Sequence, residues 1–206
     1  MIRQRVRAVM HSDPHATDGK YAIRSLYFDN QKDKALREKL DGFNRREKFR
    51  IRLYNLNTSV IHLEKKSKLN GLGTKYSASL SAEEAQSIVD GDLEWMMDSD
   101  RSLVQELYIK MRSQGLAPKT IVDYEREPFI YEPGNVRVTF DYHLRTGLGC
   151  TDFLNPDTPM IAAGDVPILM EVKWDEFLPD IIKDCVYTPG RRVGAFSKYA
   201  QCRIYD

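Results

Sequence analysis

Polar and apolar residues alternate with period two through much of the chain. That period puts successive side chains on opposite faces of a strand. In residues 46–54, Arg46, Lys48, Arg50 and Arg52 alternate with Glu47, Phe49, Ile51 and Leu53. In residues 60–68, His62, Glu64, Lys66 and Lys68 oppose Ile61 and Leu63. Val122, Tyr124 and Arg126 share a face; Arg137, Thr139, Asp141 and His143 oppose Val138, Phe140 and Tyr142; Glu171 and Lys173 oppose Met170, Val172 and Trp174. Residues 21–30 read as a further strand, ended by Asp29-Asn30.

The remaining pattern is helical or broken. Residues 1–10 read as a short helix and 11–20 as a loop. Residues 31–40 form a helix with Ala35, Leu36 and Leu40 on one side. The clearest helix is 101–115, with Leu103, Leu107 and Met111 as its stripe and Gly115 at its end. Ser81 with Glu84 three residues on is a capping box that opens another helix. Residues 69–76 read as a Gly-containing connection, Pro128 as a break and Pro133-Gly134 as a turn. Residues 181–186 are helical, and 194–206 close the chain as a helix or strand. Strands in hairpin-like succession, without a βαβ rhythm, predict the α+β class: an antiparallel sheet or barrel with helices packed outside. At 206 residues, one sizeable domain is expected.

Formal net charge is only +1, which argues against a general attraction to nucleic acid or membrane. The distribution is uneven. Residues 44–76 hold nine Lys or Arg and two acids, whereas residues 80–127 hold eleven acids and five bases, so the basic patch is local and suits a site. Like charges about 7 Å apart along one strand face repel by roughly 2 kcal/mol per neighbouring pair at an effective dielectric of about 20. A sheet with one solvated face would tolerate this. In a closed barrel the same face becomes a cationic lumen, unfavourable when empty and suited to a polyanion. Arg fits phosphate by its fork, and Lys fits it as a point charge. A carboxylate such as Glu171 among phosphates would serve as a ligand for Mg²⁺ or Mn²⁺, or simply pair with a neighbouring Arg.

Other chemistries find little support. The sequence has no GxxxxGK[ST] or GxGxxG phosphate loop. His11, His15, His62 and His143 have no ligand spacing, and Cys150, Cys185 and Cys202 have no CxxC spacing, which fits a reducing compartment. With no signal peptide or membrane-length apolar run, cytoplasmic location is expected, and a cytoplasmic domain of a membrane assembly would look the same. Nucleic-acid binding is disfavoured because Phe49, Phe140 and Trp174 fall on the face opposite the cations.

SLYFDN, REKFRIRLYN, LEKKSKLNGLGTKY, VDYEREPF, VRVTFD, MEVKW and AFSKY occur in this order over residues 21–199. The order resembles the bacterial polyphosphate polymerase domains of the vacuolar transporter chaperone (VTC) family, in the triphosphate tunnel (CYTH-like) superfamily. The resemblance implies an antiparallel β-barrel whose Arg- and Lys-lined lumen binds tri- or polyphosphate with a divalent metal. It matches Arg50 and Arg52 to the family's phosphate-binding pair. It likewise matches Lys66, Lys75, Arg126, Arg137, Ser197 and Lys198 to further phosphate ligands, and Glu171 to the metal ligand. The implied reaction moves the ATP γ-phosphoryl group to a polyphosphate chain with Mn²⁺ or Mg²⁺. The alternatives are hydrolysis of triphosphate or nucleoside triphosphate, and a non-catalytic polyphosphate-binding module. The implied partners are ATP, polyphosphate or triphosphate; no nucleic acid is expected, and a membrane-protein partner is compatible. Two departures stand out. The family's usual first strand, with an acid-x-x-Lys signature, is not seen, which predicts a barrel short of one strand. Ala195 stands where some members carry Lys. Within REKFRIRLY the expected ligands narrow to Arg50 and Arg52, with Arg46 and Lys48 placed at or beyond the tunnel mouth.

Overall fold

The computed structural model describes residues 1–16 and 18–204. Thr17, in the expected loop, and residues 205–206, at the end of the expected last element, lie outside that set. In chain order the elements are α1 (Ile2–Val9), β1 (His11–Ser12), β2 (Tyr21–Asp29), α2 (Lys34–Leu40), β3 (Arg45–Tyr54), β4 (Asn57–Leu69), β5 (Leu72–Leu80) and α3 (Ala82–Asp90). There follow α4 (Ser102–Gln114), β6 (Ala117–Tyr131), β7 (Val136–Thr146), β8 (Ile161–Ala162), β9 (Leu169–Lys173), α5 (Asp180–Val186) and α6 (Lys198–Cys202). The class is α+β with antiparallel pairing, as the alternation predicts.

The hydrogen-bonded order is β5-β4-β3-β2-β6-β7-β8, with β1 on β6 and β9 on β7. It has two ends, so among the described residues the ladder does not close on itself, and the expected barrel wall is corrected to an open antiparallel order. One end, β5, is exposed over most of its length, and the other, β8, is two residues long.

The chain divides into two compact units. The first comprises Met1–Ala22, Tyr124–Leu144 and Gly164–Phe196; the second comprises Ile23–Asp123, Arg145–Ala163 and Ser197–Asp206. Each has its own core. In the second, Leu26, Phe28, Phe49, Ile51, Leu53, Ile61 and Leu63 pack against Ile88 of α3 and Val104 and Leu107 of α4. These are the apolar halves of the alternating strands, so the odd positions of β3 and β4 are fixed inward on the helices. In the first unit, Val138 and Phe140 of β7 and Phe129 of β6 pack on Val6 of α1 and Ile182 of α5.

Local signals account for several element ends. Ser81 accepts from the Glu84 N–H and the Glu84 carboxylate accepts from the Ser81 N–H, completing the capping box of α3. Gly115 ends α4 in a left-handed conformation, φ 66°. Two expectations need correction. The connection at 69–76 is only the two-residue turn Asn70-Gly71, both at positive φ, so Gly73 to Tyr76 already belong to β5. Pro128 does not break its strand: β6 runs through it. Its carbonyl accepts from the Asp13 N–H, and β1 beside it is too short for the missing N–H to interrupt much of a ladder.

Candidate functional site

Strand register assembles the cationic face of the second unit row by row. Tyr27 of β2 lies opposite Arg50 of β3, which lies opposite Glu64 of β4, which lies opposite Ser77 of β5. One row along, Ser25, Arg52, His62 and Ser79 align. On the other side Lys48 faces Lys66, and Lys66 faces Lys75. Directly opposed like charges destabilise a sheet. These three rows carry five cations, Lys48, Arg50, Arg52, Lys66 and Lys75, around one carboxylate.

That carboxylate, Glu64, is 2% exposed. The Arg50 Nε donates to its Oε2 at 2.7 Å and Arg50 Nη2 lies at 2.5 Å. Lys75 Nζ reaches Oε1 at 2.5 Å, and Arg52 Nη1 stands 3.9 Å away. Burial alone would raise its pKa; Arg50, Arg52 and Lys75 outweigh burial and bring it down to about 2. Arg50 is further fixed by Nη1, which donates to the Tyr27 hydroxyl oxygen at 2.9 Å, and Arg52 by Nε, which donates to Ser25 Oγ at 3.1 Å. Both guanidiniums are buried, so this fork pair is oriented before any ligand arrives.

The C-terminal segment joins the same face. Tyr199 stacks on Tyr27 with ring centroids 5.0 Å apart, and its hydroxyl donates to Asp29 Oδ2 at 2.8 Å. Asp29 also accepts from the Ala35 and Leu36 N–H groups, which ties the start of α2 to β2. The SLYFDN and AFSKY motifs thus meet through two tyrosines and a buried aspartate. Ser197 is engaged as the cap of α6, accepting from the Ala200 N–H at 3.3 Å. Lys198 is half-buried, and its charge helps to depress the pKa of Lys48.

The first unit carries a different face. Arg126 forks onto Asp141 with Nε–Oδ1 at 2.7 Å and Nη2–Oδ2 at 2.8 Å, both residues buried. Burial opposes the Arg126 charge, but Asp141 more than compensates and its pKa is raised. Arg137 Nη2 donates to Asp13 Oδ2 at 3.1 Å and to the Tyr21 hydroxyl at 2.8 Å. Glu171 pairs with Lys173 at 3.4 Å and stands 3.9 Å from Arg126 Nη2. Register places Glu171 opposite Thr139, and Lys173 opposite Arg137. Among the described residues no group of three or more His, Cys, Asp or Glu side chains is arranged to hold a metal ion. Glu171, with a side chain 47% exposed, is a single carboxylate donor. That donor set fits Mg²⁺ or Mn²⁺ held chiefly by phosphate oxygens and water, and does not fit a closed protein cage.

Arg50, Arg52, Lys66, Lys75 and Lys198 are therefore brought together in the second unit, while Arg126, Arg137 and Glu171 lie in the first. The roles of three members of the cationic face escape a reading by strand alternation alone. Tyr27 looks apolar in SLYFDN until register sets it against Arg50. Glu64 looks like one more solvated acid. Lys48, expected at or beyond the mouth, is half-buried, with its ammonium 5.7 Å from the Tyr27 ring centroid. Arg46 is half-buried too and donates to the Phe43 carbonyl. On the core side, Arg24 is buried against Asp123, with Nη2–Oδ2 at 3.0 Å, and donates to the Asn155 carbonyl at 2.6 Å. This is a structural ion pair across 99 residues of sequence that no local pattern shows.

No helix among the described residues is long and apolar enough to cross a membrane. No curated protein matches the chain. Among solved structures, a presumed adenylate cyclase from Bacillus halodurans is similar over 62% of this chain at 13% identity and a TM-score of 0.39. The chain spans 62% of that protein's length. A family model described as the VTC domain matches residues 1–204. The match covers both units, the cationic face and the paired one, and the chain belongs to the VTC domain family.

Proposed function

We propose that this VTC domain is a phosphotransferase that moves the γ-phosphoryl group of ATP to a polyphosphate chain. The observation that carries the reading is the surplus of charge on the second unit's face: five cations around one buried carboxylate, with two guanidiniums held in place by Glu64, Tyr27 and Ser25. A face of this kind is unfavourable without an anion, and linear polyphosphate offers a dense row of them. Arg50 and Arg52 supply forks, and Lys66, Lys75 and Lys198 supply point charges. The chemistry asks little of a protein base, because a terminal phosphate is already an anionic nucleophile. Rate then comes from alignment and from stabilising charge as it spreads over the transferring group.

On the first unit, Glu171 would hold Mn²⁺ or Mg²⁺ together with phosphate oxygens, and the ion would supply charge neutralisation. Arg126 and Arg137 are already committed to Asp141 and to Asp13 with Tyr21, so phosphate binding by either requires those pairs to loosen. Incubation with ATP and MnCl₂ tests the reading. Phosphate polymer on a gel is the expected product. Released orthophosphate without polymer would replace transfer by hydrolysis, and tight tripolyphosphate binding without turnover would make the domain a non-catalytic binding module.

A further inference from the structure

We propose that Lys48 and Tyr27 form a further phosphate subsite on the cationic face, in which the Lys48 ammonium pairs with a phosphoryl oxygen and the Tyr27 hydroxyl donates to one. The proposal rests on the phosphate-binding reading above and adds a place to it. Lys48 is half-buried, and among the described residues no carboxylate lies within ion-pair distance of it. Its recorded contact is the ring face of Tyr27, and its neighbour across the ladder is another lysine, Lys66, followed by Lys75. A desolvated ammonium in a row of three lysines is a cost that an anion would remove.

Tyr27 completes the place. It is 4% exposed, and its oxygen accepts from Arg50 Nη1. Among the described residues its own hydrogen has no recorded acceptor, so it is available to a ligand oxygen. The stack on Tyr199 and the Tyr199–Asp29 hydrogen bond hold the ring still.

The groups acting on this phenol are Lys48, Arg50 and Arg52 from β3, Glu64 through Arg50 from β4, and Tyr199 from α6, with Asp29 behind it and Lys39 of α2 and Lys198 of α6 acting through Lys48. Burial alone would raise the phenol; Arg50, Lys48 and Arg52 outweigh it and bring its pKa down to about 7. A bound polyanion screens those cations and favours the protonated phenol, so binding takes up a proton and weakens as pH rises through neutrality.

Calorimetric titration with sodium tripolyphosphate, at several pH values between about 6 and about 8.5, tests this. Lys48→Gln is expected to weaken binding about tenfold, and Lys48→Arg to restore most of it. Wild type should lose up to about tenfold in affinity per pH unit above neutrality relative to Tyr27→Phe, whose profile should be flatter. Wild type should also show tyrosinate absorbance near neutral pH that Tyr27→Phe lacks and that tripolyphosphate suppresses. Circular dichroism and the unfolding midpoint establish that each variant is folded. If wild type binds while folded Lys48→Gln and Tyr27→Phe bind within twofold of it with the same pH profile, the subsite is wrong and the cationic face stands. If wild type does not bind at all, both readings fall.

Discussion

The two units carry polar strand faces with the same kinds of residue and opposite electrostatics. On the first, Arg126, Arg137 and Lys173 meet Asp141, Asp13 and Glu171 pair by pair. On the second, Arg50, Arg52 and Lys75 share Glu64, with Lys48 and Lys66 beside them in the ladder. A face that neutralises itself holds a shape. A face left with surplus charge holds a ligand, and its single carboxylate orients the cations without cancelling them. The difference is consequential because removing one charge should act with opposite sign on the two faces.

The largest effect is expected on the paired face. Asp141→Ala leaves the buried Arg126 without its bidentate partner, at a cost of about 3–5 kcal/mol in urea unfolding. Tripolyphosphate should add no more stability to this variant than to wild type. If the anion restores the lost stability, Arg126 is a phosphate ligand in waiting, and the contrast between the faces is overturned.

Next is the acid limb of stability. The folded-state pKa of Glu64 is depressed from 4.5 to about 2. Its stabilisation is therefore present in full above the unfolded value and is lost as pH falls from about 4.5 toward 2. The pKa difference corresponds to about 3 kcal/mol. Urea midpoints from neutral pH down to about pH 3 should fall more steeply for wild type than for Glu64→Gln. Parallel curves would mean that Glu64 does not anchor the cationic face.

How much of this was legible in the sequence follows from which contacts are local. The period-two pattern put Arg50, Arg52, Lys66 and Arg137 on polar faces, and the Ser81–Glu84 box is visible in four residues. Tyr27 against Arg50, Glu64 against Arg50, and Arg24 against Asp123 depend on strand pairing and carry no local mark. The contact of Lys48 with Tyr27 is not legible either, because alternation fixes a face and says nothing of depth along it. Residues 73–76 read as a connection because two glycines weigh against a strand, whereas the Asn70-Gly71 turn alone suffices. Pro128 reads as a break because one missing N–H weighs heavily in a central strand, but it weighs little beside a two-residue one.

A smaller effect of opposite sign should appear on the cationic face. Lys48 lies opposite Lys66 in the ladder, and among the described residues no carboxylate lies within ion-pair distance of it. Lys48→Gln should raise the stability of the unliganded protein by about 0.5–1 kcal/mol, since directly opposed like charges are relieved. The same variant should bind tripolyphosphate about tenfold more weakly. A variant that loses both stability and affinity would show that Lys48 is held by structure and is not held in reserve for an anion.

The smallest effect on stability belongs to Glu171, the loosest carboxylate of the paired face. Its partners stand at 3.4 and 3.9 Å and its side chain is 47% exposed. Screening at such a site leaves each pair worth little, so Glu171→Gln should change stability by less than about 0.5 kcal/mol. Tripolyphosphate binding in the absence of divalent metal should be unchanged. Turnover of ATP with Mn²⁺ should nevertheless be lost, because a carboxylate that contributes so little to the fold is free to serve an ion. Full Mn²⁺-dependent turnover in Glu171→Gln would move the metal elsewhere. It would also leave the paired face with a structural role alone, which is the sharpest form the contrast between the two units can take.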